Sequence, residues 1–361
     1  MLLGGGHAHL PVLRAVADWP AGTARVTLVS PHAALTYSGL LPEVVAGRYP
    51  PADAEIALPP LAQRAGVRWI QAATTAIDAP RRRLTLVDAE GTREEIGYDF
   101  LSVDVGGVVD RDAIEGAREH AVFVRPVEHF MALFEARLRD GPGDAAVVGG
   151  GAGGYELALA LRRRLGPDRP VHLVTGPTPL LGSHAAGVRR HAARVLAAHR
   201  VALVEESCRS IAADHLVLAS GATLRSALTL VVIGSVAPPW LAGSGLELDA
   251  AGFIVTRATL QSTSHPEVFA AGDVATRCDA PRPRSGVYAV RAGPPLARNL
   301  HRALQGLAGH AYAPQRWALS LLGSADGRAI ASWGPLSFEG RLMGRLKNHI
   351  DRRFVARSRS A

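Results

Sequence analysis

Two stretches of this chain repeat one plan, and that repetition constrains its fold more than any other feature. The first reads LLGGGHAHLPVLRAVA and continues to ARVTLVS; the second reads DAAVVGGGAGGYELALALRRRL and continues to RPVHLVT. In each, an apolar run enters a glycine cluster, a helix-period stretch follows, and a second apolar run closes the unit within about 30 residues, the length of a strand–helix–strand repeat. A glycine cluster at that junction lets an anion approach the open N–H groups of the helix start, where the helix dipole favours negative charge. The pattern predicts an α/β protein with two Rossmann-like dinucleotide-binding domains. Its 361 residues suit two to three domains.

Between the units, Val67–Ile77 and Leu84–Val87 alternate around turn signals such as Glu90 and Gly91, and predict an antiparallel meander ahead of a strand at Phe100–Val105. Val201–Leu224 predicts a similar insertion, and Leu228–Ile233 a buried parallel strand. A last apolar strand, Val268–Ala271, leads into Gly272 and Asp273 and returns the chain to the first fold. The first domain is then split around the second: 1–122 and 241–308 form one dinucleotide domain, 123–240 the other, and 309–361 a C-terminal segment. In that segment Leu342, Leu346, Ile350 and Phe354 recur every four residues among Arg341, Arg345, Lys347, Arg352, Arg353 and Arg357. This is a basic amphipathic helix, suited either to packing on the body or to lying on an anionic surface.

Composition narrows the function classes. With 48% hydrophobic residues the chain can bury a large core, which excludes disorder as its main state. The net charge is +8, yet Lys347 is the only lysine among 40 basic residues, an imbalance that reads as codon bias. No reading module or aromatic platform accompanies the charge, so nucleic acid is not an expected partner. Neither a signal peptide nor a spanning helix is expected, and the chain reads as cytoplasmic, at most peripheral on the inner face of the cell membrane. The first strand is short, with three residues before Gly4, so either the native start lies upstream of Met1 or this edge is weakly held.

In the first unit Gly4 and Gly6 permit a tight turn and close approach of a pyrophosphate, but His9 takes the third glycine position. The acid expected after the second strand, to hold a ribose, is replaced by Ser30. In the second unit Gly149, Gly151 and Gly154 complete the pattern, while Thr175 and Gly176 stand where a cofactor-selecting acid would, leaving NADH or NADPH open. His7 and His9 are two residues apart and have no clustered partners, so no metal site is expected. Cys208 and Cys278 are too distant in sequence for a CxxC pair.

The whole order, GGGHAH, LTYSGLLPEVVAG, YDFLSVDVGG, VVGGGAGGYELA, VFAAGDVA and RSGVYAVRAGPPLARNL, resembles the FAD-dependent pyridine nucleotide oxidoreductases of the type II NADH dehydrogenase-like group. It is most similar to the branch fused to or associated with selenophosphate synthase, on the ending RLKNHIDRRF. The resemblance implies FAD in the first fold and NADH or NADPH in the second. It places Gly4, Gly6, His7 and His9 at the FAD pyrophosphate, Asp273 after Gly272 at the ribityl chain or pyrophosphate region, and Tyr37, Ser38 and Gly39 beside the flavin. It also starts a helix at Gly286, Val287 and Tyr288 whose N-terminus points at the flavin ring, with Arg284 where relatives often carry lysine, and sets Glu156 near the nicotinamide.

Disulfide reductases of this architecture need a close cysteine pair beside the flavin, and none exists here. What the resemblance then implies is hydride transfer from nicotinamide to flavin and onward delivery to a quinone-like acceptor, with Glu156 and Tyr37 as the catalytic candidates. Two other functions stay open: a flavoprotein partner of selenophosphate synthase in selenium metabolism, and a sulfide:quinone reductase-like enzyme. With a quinone acceptor the basic helix holds the enzyme against a membrane surface; as a partner of selenophosphate synthase it is a protein-docking helix. A homodimer is carried as a further expectation.

Overall fold

The computed structural model describes residues 1–139 and 143–360. Both predicted units are present, each built into its own five-stranded parallel sheet. In the first sheet the strands lie in the order Val268–Ala270, Leu101–Val103, Leu2–Leu3, Thr27–Ser30 and Arg68–Gln71. In the second the order is Val122–Phe123, Leu228–Val231, Ala145–Val148, Val171–Val174 and Val201–Val204. Strands 145–148 and 228–231 are buried at every position, as a sheet covered on both faces requires. The strand at 268–270 pairs with 101–103, so the chain does return to the first fold after completing the second.

Two expectations need correction, and for one reason. Residues 68–71 and 201–204 were predicted as parts of antiparallel insertions; each instead forms the outer strand of its parallel sheet. The insertions begin only afterwards, as three-stranded antiparallel sheets at 73–97 and 208–225. Short outer strands such as RWIQ, exposed at both ends, lack the continuous buried run that marks an inner parallel strand.

The C-terminal segment forms a three-stranded antiparallel sheet (Ser320–Gly323, Ala329–Trp333, Leu336–Gly340) followed by a helix over Arg341–Arg359. This terminal helix buries Lys347, Asp351, Val355 and Ser358, while Leu342, at 70% exposure, Leu346 and Ile350 face outward. The apolar series advances four residues at a time, and a helix turns once in 3.6, so the series drifts round the axis. Only its last member, Phe354, reaches the protein, where it meets Tyr37 with ring centroids 4.5 Å apart. One face of the helix therefore packs on the body, as one of the two expected uses requires, and the apolar residues Leu342, Leu346 and Ile350 are exposed.

Candidate functional site

A cavity of about 550 Å³ runs along the C-terminal ends of the first sheet, within the size range of small-molecule sites. Gly4 adopts φ +95°, and a Cβ there would stand 2.4 Å from the Asp104 carbonyl oxygen. A Cβ on Gly6 would also stand 2.4 Å from the Asp104 carbonyl oxygen. The turn thus presses backbone against backbone at two points, which only glycine allows. Gly4, Gly6, His7, Ser30, Ser38, Asp273 and Gly286 all line the cavity, together with Thr74, Asp104 and Arg125, which sequence reasoning missed.

Asp104 sits where the first helix begins. Its Oδ2 accepts the N–H groups of Ala8 at 2.7 Å and His9 at 3.0 Å, yet burial pushes its carboxyl up to about 7. Its only sequence signal was an acid inside the apolar run LSVDVGG. Arg125 reaches Asp273 at 3.3 Å across the cavity mouth.

His9 was expected to face the pyrophosphate; the structure puts it elsewhere. Its ring is wholly buried, with Nδ1 2.6 Å from the Gly4 carbonyl and Nε2 2.8 Å from the Ser102 hydroxyl. Burial holds its pKa down at about 4, so the ring is neutral: Nδ1–H donates to Gly4, and Nε2 accepts from Ser102. His9 braces the turn from below and is absent from the cavity wall.

His7 is half-buried, desolvation holds its pKa at about 4, and its buried Nε2 has no partner. The same holds for Thr74 Oγ1. Two unpartnered polar atoms on residues of the wall are what a polar ligand would satisfy, so the residues present fit a dinucleotide such as FAD. The hydroxyl of Ser30 lines the cavity while closing a local turn with the backbone of His32.

Other candidates lie behind the wall. The Tyr37 hydroxyl donates to Asp351 Oδ1 at 3.0 Å, and Gly39 offers its carbonyl to Lys347 Nζ at 2.8 Å, so both turn from the cavity toward the terminal helix. Of Gly286, Val287 and Tyr288, the first alone lines the main cavity; Tyr288 lines a smaller one of about 70 Å³ next to it. Arg284 stacks on Phe253, 3.4 Å from the ring centre, and donates to Thr276 Oγ1 at 3.0 Å.

At the second turn Gly149 has φ +137°, with a Cβ position 2.2 Å from the Val232 carbonyl oxygen, and a Cβ on Gly154 would meet Gly149 O at 1.7 Å. Around Gly151 the space is open. Thr175, buried beside this turn, donates its N–H to Val204 O at 2.9 Å. Two residues past Gly154, the half-buried Glu156 carboxyl accepts the Gly323 N–H at 2.7 Å and lies 3.6 Å from Lys347 Nζ. Burial raises its pKa, although Lys347 and the Gly323 N–H oppose the rise.

Lys347 is 2.8 Å from Asp351 as well. Burial lowers the pKa of its amine, but Glu156 and Asp351 outweigh that and lift it to about 12. The sole lysine of an arginine-rich chain thus occupies a buried pocket shared by two carboxylates and a carbonyl. A compact ammonium fits such a place better than a planar guanidinium fork. Cys208 lies in the second insertion and Cys278 is exposed; neither is on the cavity wall.

The profile of the pyridine nucleotide-disulphide oxidoreductases matches residues 1–293. The chain belongs to that family. It is an oxidoreductase-class flavoprotein, with FAD and NAD(P)H as its cofactors. It is similar to the demethylphylloquinone reductase NdbB of Synechocystis sp., 27% identical over 229 residues, which are 61% of this chain and 57% of that protein. The chain thus spans little more than half the length of this relative. The sulfide:quinone oxidoreductase of Aquifex aeolicus shares its fold, with TM-score 0.83, 17% identity, and coverage of 99% of this chain and 91% of that one. So does NDH2 from Plasmodium falciparum in complex with NADH, with TM-score 0.83, 12% identity, and coverage of 99% and 96%.

Proposed function

We propose that the protein is an NAD(P)H:quinone oxidoreductase in which the first fold holds FAD and the second the nicotinamide nucleotide. The observation that carries this reading is the short chain of contacts joining the two sites. Ser38 lines the cavity, Gly39 bonds Lys347, and Lys347 reaches Glu156 beside the second glycine turn. Gly4, Gly6 and His7 would receive the FAD pyrophosphate region, Asp273 with Arg125 the ribityl end, and Gly286 the flavin ring. Gly149, Gly151, Gly154 and Thr175 would receive the nucleotide. Bound FAD would supply the chemistry, taking a hydride from the nicotinamide and handing two electrons onward.

The residues of this chain then have defined tasks. The N-terminus of the helix over Gly286–Leu304 presents positive partial charge to the cavity. Glu156, paired with Lys347 and held by the Gly323 N–H, keeps its carboxyl close to the nicotinamide turn. Tyr37 and Asp351 fix the position of Lys347, and Lys347 keeps Glu156 in place. With no sulfur on the wall, a dithiol relay has nothing to run through.

A quinone acceptor is supported by the name of the cyanobacterial relative and by the surface beside the site. Phe338, Leu342, Leu346 and Ile350 form an exposed apolar strip flanked by the exposed Arg341, Arg345, Arg352 and Arg353. Such a surface suits an anionic bilayer, where a lipid-soluble acceptor resides. No described helix is long and apolar enough to cross a membrane.

The deciding experiment is the visible spectrum of the purified protein, followed by anaerobic titration with NADH or NADPH and then a soluble quinone. A yellow protein that bleaches with pyridine nucleotide and regains its colour with quinone is expected; bleaching without recovery would remove quinone as the acceptor. Sedimentation with anionic vesicles tests the strip. Co-elution with selenophosphate synthase in place of vesicle binding would reassign the helix to protein docking.

A further inference from the structure

The end of the second strand is where a carboxylate is expected to hold an adenosine ribose, and Ser30 stands there instead. Its hydroxyl is committed to the backbone of His32, donating to the carbonyl at 3.1 Å and accepting the N–H at 3.3 Å. Ribose hydroxyls donate, so they need an acceptor with capacity to spare, and an ionised carboxylate is one. The described wall of the main cavity carries Asp104, Asp273 and Glu128. Asp104 is occupied by the N–H groups of Ala8 and His9, and Asp273 faces Arg125. Glu128 remains.

Glu128 comes from the other fold. It lies in the first turn of the helix over Val127–Arg139, whose Phe130 and Phe134 are buried in the second core with Ala145, Val147 and Leu228. Two residues separate Glu128 from Phe130, about 200° round a helix, so one side chain leaves the core as the other enters it. The carboxylate reaches the loop that follows the second strand of the first fold. Its Oε1 is 3.5 Å from the N–H nitrogen of Thr36. Burial lowers the pKa of His32, and the charge of Glu128 opposes that fall. The next residue of the helix, His129, meets His32 edge to face with ring centroids 5.1 Å apart. Ser30, His32, Thr36 and Glu128 all line the cavity.

An acid in a first helical turn is common, because the helix dipole favours it. That accounts for the residue type and leaves its surroundings unexplained. The 3.5 Å contact is longer than a normal N–H···O bond, and it is the one hydrogen bond of this carboxylate among the described residues. No described cation pairs with it, although Arg125 is three residues away; that guanidinium turns to Asp273.

We infer that Glu128 supplies, from the second fold, the carboxylate that the first fold lacks, and holds the ribose hydroxyls of the FAD adenosine. The inference rests on FAD lying in the first fold and names the residue that fixes its adenosine end. Both folds would then grip one cofactor: the glycine turn of the first takes the pyrophosphate, and a helix of the second takes the ribose. Flavin retention would depend on how the two folds sit together, which an acid at the end of the second strand would not require.

The test is a binding titration of the full-length protein, stripped of FAD and followed by flavin fluorescence. The probes are FAD, FAD built on 2′-deoxyadenosine or on 3′-deoxyadenosine, and FMN, which has no adenosine. The wild type should bind at least one deoxy cofactor about tenfold or more weaker than FAD, because a hydrogen bond to a charged acceptor is lost. In Glu128→Ala the affinity for FAD should fall by a similar factor and the discrimination should vanish, while FMN binds as it does to the wild type. Ser30→Ala should discriminate as the wild type does. Discrimination that is absent from the wild type, survives in Glu128→Ala or is lost in Ser30→Ala would overturn the assignment. So would an FMN affinity that falls in Glu128→Ala, since the carboxylate would then serve the ribityl chain. Gly6→Ala separates this inference from the placement beneath it, because a Cβ there meets the Asp104 carbonyl and closes the first turn. Unchanged FAD affinity in that variant would overturn the placement of FAD. Loss of FAD there, with wild-type binding in Glu128→Ala, would overturn the role of Glu128 alone.

Discussion

At the second glycine turn a Cβ on residue 154 would stand 1.7 Å from Gly149 O, whereas the equivalent residue of the first turn, His9, carries a ring that bonds Gly4 O at 2.6 Å. The two folds have the same strand plan and matching insertions, yet close their turns differently. Strand register makes the comparison residue by residue: Leu3 lies against Val103 in the first sheet as Val148 lies against Val231 in the second. Ser102 then corresponds to Leu230, and Asp104 to Val232. The substitutions go together, because an imidazole under the turn needs the Ser102 hydroxyl for its far nitrogen, while a glycine needs nothing there. The third glycine is one way of closing such a turn, and a braced histidine is another.

Gly154→Ala attacks the tighter turn and has the largest expected effect. The methyl group has no room against Gly149 O, so the turn must open. Bleaching by NADH or NADPH should slow about 100-fold or more, while the flavin stays bound. An alanine variant that bleaches at the normal rate would break the comparison.

Lys347 joins the two folds, and Lys347→Met would leave Glu156 and Asp351 buried without their cation. Removing one partner of a buried ion pair costs about 3–5 kcal/mol, read here as a lower urea midpoint. Adding Glu156→Gln should restore part of the loss, since the amide needs no counter-charge. If the double variant is no more stable than the single one, the lysine is not compensating Glu156.

His9→Gly supplies the first turn with the third glycine that the second has. It should not repair the turn. Gly4 O and Ser102 Oγ would lose their shared partner, at about 2–3 kcal/mol of stability and with weaker FAD retention. Tighter flavin binding in this variant would show that the histidine is a defect of the fingerprint and not a brace.

Much of this was legible in the sequence, and the gaps have physical causes. Glycine turns advertise themselves, because close backbone approach leaves no other residue type, and both units and the returning strand were found from them. The outer strands at 68–71 and 201–204 were misassigned because a short, partly exposed strand lacks the continuous buried run of an inner parallel strand, and nothing in it marks strand direction. His9 was placed on the wrong side of its turn because position in a fingerprint does not reveal where a ring points. Lys347 was visible as a count of one but was read as codon bias, since nothing in the sequence shows that residues 156, 347 and 351 converge. Asp104 lacked any spacing signal, and its partners are N–H groups 95 and 96 residues away.

Asp104 also supplies the finest contrast, because the second fold has Val232 in its place. Its carboxyl stands at about 7 against an ordinary 3.8, chiefly through burial, with the N–H groups of His9 and Ala8 opposing the rise. Between about pH 4 and 7 the folded protein therefore keeps a proton that the unfolded chain has released. Stability must fall as pH rises through that window, by at most about 1.4 kcal/mol per pH unit for one proton. Asp104→Asn can still accept the helix N–H groups but carries no charge at any pH. Thermal melts of the FAD-free protein should show variant and wild type close together near pH 4 and separating toward pH 7, with the variant the more stable. Pyrophosphate in the same turn adds negative charge and tightens the hold on the proton, so FAD binding above pH 7 should take up a proton in the wild type and none in the variant. Parallel melting profiles would mean that Asp104 is ionised in the fold throughout, and that the first turn meets its phosphates against a fixed negative charge.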